Sequence, residues 1–122
     1  MLIGVLRGTP DARIFLTGVL EKNQPIFTTI FNEYELWAGA CLRGEREEKE
    51  AAVLLSTLKV LQASSKSAEG YGRLYSYFVK KGLQLPETGL MIASVAIENG
   101  EPIATRNEKH FSKIPGLKVI KW

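Results

Sequence analysis

The chain has 122 residues, a length that predicts one domain with a single hydrophobic core. Its 45% apolar and 24% charged residues are ordinary for a soluble globular protein, and neither a membrane-spanning run nor a signal-peptide pattern is present. The net charge of +3 mildly favours an acidic partner, while one cysteine and one histidine exclude an internal disulfide framework and a structural zinc site.

The first part of the chain alternates between short apolar segments and helical patterns. Residues 1–8 are apolar and fit either a helical turn or a short strand. Residues 11–22 have apolar side chains at helical spacing, which predicts a helix. Residues 26–29 are β-branched and aromatic, which predicts a strand. A helix follows, and its N-cap is Thr29 or Asn32.

The rest of the chain continues this alternation. A charged run opens a second helix over residues 45–61, although its last residues also suit a short extended piece. Residues 67–81 form a third helix, whose stripe of apolar and aromatic side chains we interpret as core rather than a base-stacking platform. A strand at residues 117–122 alternates in polarity, which is typical of a sheet edge. Strands alternating with helices predict a parallel sheet in a three-layer α/β fold.

The stretch from Leu85 to Phe111 organises the fold. Residues 90–97 are apolar nearly all the way round, which predicts a buried helix over residues 87–99. Residues 102–105 then form a short buried strand, which ends in polar side chains that include Asn107. Because ligands of open α/β sheets bind at the carboxyl ends of the strands, these polar groups are site candidates.

Three sequence segments carry a family resemblance. Motifs of PIN-domain proteins, and most closely of the VapC-type toxin ribonucleases, are resembled in chain order by LIGVLRG, by TTIFNEYELWAGA, and by IASVAIENG followed by IATRNEKHF. The resemblance covers nearly the whole chain as one PIN-like domain, residues 1–122. It implies cytoplasmic, Mg²⁺- or Mn²⁺-dependent cleavage of RNA, a VapB-like antitoxin partner and a homodimer, with no membrane partner.

In this family, four acidic positions converge on the metal ion. The first acid ends the first strand, just before the stretch that matches LIGVLRG, so we expect both that strand and its aspartate to be missing. The second matches Glu35, with Gly39 one helical turn away on the same face to permit a close approach. The third matches Gly89, which has no side chain, and the fourth matches Asn107. The resemblance thus implies Glu35 and Asn107 as catalytic and metal-binding residues, with Arg106 and Lys109 as RNA-binding residues.

Other side chains are weaker candidates. Glu87 lies two helical residues from Gly89, roughly 200° around the axis, so its carboxylate points elsewhere. His110 fits a capping or packing role better than a general base, and Cys41 has no implied base beside it. The sequence leaves three hypotheses open: a weak or inactive VapC-like ribonuclease, a degenerate PIN domain that binds an antitoxin or itself, and a plain α/β binding module.

Overall fold

The computed structural model describes residues 2–3, 27–84, 87–105 and 111–121. Within these ranges it has five strands and four helices. The strands are β1 (Leu2–Ile3), β2 (Phe27–Thr29), β3 (Lys59–Leu61), β4 (Ile103–Thr105) and β5 (Val119–Lys121). The helices are α1 (Ile30–Arg43), α2 (Glu45–Ser56), α3 (Ser65–Lys80) and α4 (Glu87–Glu98). The predicted helix over residues 11–22 lies outside the described ranges.

The strands form one parallel sheet in the order β3-β2-β1-β4-β5. Leu2 pairs with Phe27 on one side and with Ile103 on the other, so β1 is the middle strand. The prediction that the first strand is missing is therefore wrong for the sheet, because Leu2 and Ile3 fill the position between β2 and β4. The closing strand β5 lies at an edge, as its alternating pattern predicted.

The chain reverses its direction across the sheet after β3. The connection from β2 to β3 through α1 and α2 moves outward, whereas the connection from β3 to β4 through α3 and α4 passes back over β2 and β1. Crossovers between parallel strands are right-handed in nearly all proteins, so opposite directions favour opposite faces of the sheet for the two helix pairs. This topology favours the predicted three-layer arrangement.

Helix α2 is shorter than the helix predicted over residues 45–61. It ends at Ser56, and Lys59–Leu61 forms the edge strand β3 instead of a last helical turn. Val60 pairs in parallel register with Thr28 of β2, so the sheet satisfies backbone groups that a longer helix would otherwise have satisfied. The alternative of a short extended piece near residue 60 was thus the better prediction.

Helix α4 supplies the centre of the core. Six consecutive or near-consecutive side chains are buried: Leu90, Ile92, Ala93, Ser94, Val95 and Ala96. Leu74 and Phe78 of α3 pack against this helix, which confirms the core interpretation for the inner part of the α3 stripe. Ala68 and Tyr75 of the same stripe are exposed, so the stripe is wider than the buried face. Among the described helices, none is long and apolar enough to cross a membrane.

Candidate functional site

The carboxyl edge of the sheet is the expected location of a ligand-binding site. Strand order reverses between β1 and β4, and in open parallel sheets the crevice at such a switch point is where ligands bind. Helix α1 begins at this edge, directly after β2. Phe31 in its first turn packs against the core cluster that includes Ile92 of α4 and Ile103 of β4. The start of α1 therefore lies beside the two elements that carry the other predicted site positions.

Glu35 lies on α1, one turn beyond the helix start, and its side chain is exposed. An exposed carboxylate near the edge of the sheet is available to a cation or to a substrate. Gly39 is half-buried one turn further on. A Cβ added at Gly39 meets nothing within 4 Å among the described atoms, so the close approach expected at this glycine is not found there.

Gly89 lies in the first turn of α4, the element predicted to present the third acid. Helices α1 and α4 contact each other, so Glu35 and Gly89 belong to neighbouring elements. Glu87 is exposed, and its charge acts on α3: burial raises the pKa of Tyr71, and the Glu87 carboxylate raises it further. That Glu87 does not replace an acid at position 89 stays a prediction.

The remaining predicted site residues, Arg106, Asn107 and Lys109, lie outside the described residues, as does the weaker candidate His110. Within the described part of the chain, no three His, Cys, Asp or Glu side chains are grouped as metal ligands. Glu35 alone does not make a divalent-cation site, since Mg²⁺ and Ca²⁺ need several oxygen ligands. The described side chains therefore do not fit a complete metal site, and the facing of Glu35 and Asn107 across a groove stays a prediction.

Thr29 and Asn32, which the sequence suggested only as alternative N-caps of α1, form a hydrogen-bonded pair. Thr29 Oγ1 accepts a hydrogen bond from the Asn32 backbone N–H at 3.2 Å and donates one to Asn32 Oδ1 at 2.7 Å. The Thr29 backbone N–H donates to the same Oδ1 at 3.3 Å. In this capping box each side chain accepts a hydrogen bond from the backbone N–H of the other residue. Of the two candidate N-caps, the N-cap of α1 is therefore Thr29.

In the described part of the chain, one atom of this pair, Asn32 Nδ2, lacks a hydrogen-bond partner. Asn32 is 5% exposed, and among the described residues nothing accepts a hydrogen bond from its Nδ2. Rotating the amide by half a turn does not remove the problem, because Oδ1 is needed to accept from the Thr29 N–H. A buried, unsatisfied donor costs about 1–3 kcal/mol. The sequence offers a weak signal for it, a polar residue three positions before Glu35 on the same helical face.

Comparisons with known proteins agree with this architecture. A sequence model of the family described as PIN domain matches residues 1–117. Ribonuclease VapC2 of Rickettsia felis is 30% identical over 115 residues, which are 93% of this chain and 86% of that protein. The chain belongs to the VapC family of PIN-domain ribonucleases. The tRNA(fMet)-specific endonuclease VapC of Salmonella typhimurium is also 30% identical, over 62% of this chain and 59% of that protein.

Solved structures of VapC-family complexes have the same fold. VapBC2 from Rickettsia felis, bound to a DNA fragment from its promoter, contains a chain that matches with a TM-score of 0.86 and 25% identity. The match covers 99% of this chain and 97% of that one. DNA-bound VapBC from Salmonella typhimurium matches with a TM-score of 0.80 and 21% identity, over 99% and 96% of the two chains. The VapC fold thus extends over nearly the whole chain.

Proposed function

We propose that this chain is a VapC-like PIN-domain endoribonuclease, the toxin of a toxin–antitoxin pair, with weak or no RNA cleavage. The observation that carries the proposal is the family match along nearly the full chain, with Glu35 exposed on a helix that starts at the carboxyl edge of the sheet. The weakness follows from Gly89, which supplies no ligand where the family motif has an acid.

Each predicted site residue has a role in this proposal. Glu35 and Asn107 would hold Mg²⁺ or Mn²⁺, while Arg106 and Lys109 would bind RNA phosphates. Such a cation, when bound, lowers the pKa of a coordinated water and neutralises charge on the phosphate. One carboxylate and one neutral amide bind a dication poorly, so the proposal includes low metal affinity.

The partner in this proposal is a VapB-like antitoxin. Several similar structures are VapBC toxin–antitoxin complexes, which supports a protein partner of this kind. Large apolar side chains on α1 and α2 are exposed, among them Tyr34 at 68%, Leu42 at 89% and Val53 at 67%. Contiguous apolar surface marks association sites in soluble proteins, so we propose these side chains as candidate contacts with a partner. We extend the proposal to a homodimer working in the cytoplasm, consistent with a lone Cys41 in a reducing compartment.

The test is RNA cleavage by the purified chain with Mg²⁺ or Mn²⁺, with and without EDTA. We expect little or no metal-dependent cleavage, and the Glu35→Ala variant removes any that is present. Glu33→Ala is the matched control, since it makes the same charge change on the same helix. Robust cleavage that EDTA and Glu35→Ala both abolish would show that fewer carboxylates suffice than proposed. Cleavage that survives Glu35→Ala would contradict the site assignment.

A second candidate function is a non-catalytic PIN domain that binds the antitoxin or itself. Gly89 favours it, because a missing acid abolishes cleavage more readily than it disturbs a protein interface. Co-purification with a VapB antitoxin and sedimentation of the chain alone distinguish the two functions. Binding that persists in Glu35→Ala, without cleavage under any metal condition, supports the non-catalytic function.

A further inference from the structure

We propose that the Asn32 side-chain amide donates a hydrogen bond to a phosphoryl oxygen of bound nucleic acid at the start of α1. This inference rests on the proposed function for the choice of RNA as the source of the phosphate. The starting observation is the Nδ2 atom of Asn32, which has no hydrogen-bond partner among the described residues and belongs to a side chain that is 5% exposed.

The capping box fixes where this donor lies. Oδ1 is held by the backbone N–H and the hydroxyl of Thr29, the N-cap residue, so the amide group lies against the N-terminal end of the helix. Nδ2 is bonded to the same carbon as Oδ1 and therefore lies beside the first turn of α1. The unpaired donor and the positive end of the helix dipole are thus found in one place, at the carboxyl edge of the sheet.

The chemistry of the place selects an anionic oxygen. A helix N-terminus with an additional N–H donor attracts phosphate, because both the dipole and the donor favour negative charge. Nδ2 is covered by its surroundings in the unbound chain, so the proposal requires that binding displaces a neighbouring group and exposes this donor. A phosphoryl oxygen then accepts a charge-assisted hydrogen bond from it.

The position of Glu35 suggests a role for this hydrogen bond in placing the substrate phosphate. Asn32 and Glu35 are three residues apart on α1 and so share one helical face. A phosphate held by Asn32 would sit within a helical turn of the carboxylate assigned to the metal. Asn32 would then fix the phosphate in position, a task that needs a neutral donor where a second carboxylate would repel the substrate.

The Asn32→Asp variant removes the Nδ2 donor and leaves the size of the side chain nearly unchanged. Aspartate keeps an oxygen for both Thr29 interactions and is favoured in the first turn of a helix, whereas burying its charge at a site that is 5% exposed costs stability, so urea unfolding first checks that the variant is folded at the assay temperature. The variant also adds a negative charge. Tyr34→Asp is therefore the matched control: it adds the same charge two residues away, on a side chain that is 68% exposed.

The first experiment measures binding of a fluorescein-labelled 12-nucleotide RNA in EDTA by anisotropy. We expect Asn32→Asp to weaken binding at least tenfold more than Tyr34→Asp, the effect of losing one hydrogen bond to a charged group. Equal weakening by the two variants would overturn the proposal. So would a wild-type chain that does not bind the RNA.

The second experiment follows the ¹⁵N side-chain amide resonance of Asn32 while inorganic phosphate, and then the dinucleotide UpU, is added. We expect this resonance to move with either probe, and an unmoved resonance at saturating UpU would overturn the proposal. Cleavage assays on the same sample separate the two proposals. A shifted resonance without any cleavage supports this inference and counts against ribonuclease activity, whereas cleavage with an unmoved resonance does the reverse.

Discussion

Ser64 Oγ donates to both carboxylate oxygens of Glu98, at 2.8 and 2.9 Å, across 34 residues of sequence. The same hydroxyl accepts from the Ser67 backbone N–H at 3.1 Å, as the N-cap of α3. A single hydroxyl thus caps one helix and ties its start to the last residue of the helix packed beside it. The pairing fixes the register of α3 against α4 at the exposed end of the core.

Replacing Ser64 by alanine is expected to lower the free energy of unfolding by about 1–2 kcal/mol, mostly through the lost cap. Glu98→Ala is expected to have a smaller effect, because the pair is exposed. Urea unfolding of both single variants and the double variant gives the coupling energy, which we expect at about 0.5–1 kcal/mol. Strictly additive effects would show that the Ser64–Glu98 bonds contribute nothing measurable.

Thr29→Ala removes the hydroxyl that both accepts from and donates to Asn32 in the first turn of α1. We expect a loss of about 1–2 kcal/mol in the free energy of unfolding, since Thr29 is fully buried and its cap has no replacement by water. Thr29→Ser, which keeps the hydroxyl, is the control. Chemical denaturation measures both, and equal losses would assign the effect to the missing methyl group rather than to the cap.

Leu90→Ala tests the central role of α4. Leu90 is 2% exposed, and truncating a leucine at such a site costs about 2–5 kcal/mol. Leu42→Ala is the matched control, because Leu42 is 89% exposed and surface truncations change stability by about 0.5 kcal/mol or less. Midpoints of urea unfolding compare the two, and similar shifts would mean that α4 does not form the core.

The reactivity of Cys41 should depend on pH through Glu48. A hydrogen bond to Glu48 raises the pKa of the exposed Cys41 thiol, with desolvation and the Glu48 charge as further causes. A raised pKa means less thiolate at a given pH, so Glu48→Ala should speed iodoacetamide labelling and move its rate profile to lower pH. Glu47→Ala is the neighbouring control. A slower reaction or an upward shift in Glu48→Ala would contradict this electrostatic contact.

Gly89→Asp restores a carboxylate in the first turn of α4. We expect a gain of about 0.5–1 kcal/mol in stability, because glycine is a poor helix former and the new charge meets the positive end of the dipole. We also expect Mg²⁺ to raise the melting temperature of this variant more than that of the natural chain. The double variant Gly89→Asp, Glu35→Ala should lose that extra response, and an undiminished response would place the ion away from Glu35.

Patterns with a strong period predicted the architecture well. The all-round apolar run at Leu90–Ala96 gave the buried helix, and the alternation at the closing strand gave its edge position. Short elements were harder, since the two residues of β1 carry no periodicity and become a strand only through pairing with Phe27 and Ile103. The unsatisfied donor of Asn32 could not be predicted from the sequence either, because it arises from the orientation that the hydrogen bonds to Thr29 impose on the Asn32 amide.

The middle position of β1 has a consequence for synthesis on the ribosome. Leu2 is made well before its partner on one side, Ile103. Until β4 emerges, β1 can pair only with β2, and the growing sheet exposes an unpaired edge where its middle will be. Nascent chains are prone to association in such intervals. A binding partner or chaperone that covers this edge during translation would therefore influence how much of the toxin-family protein reaches its final fold.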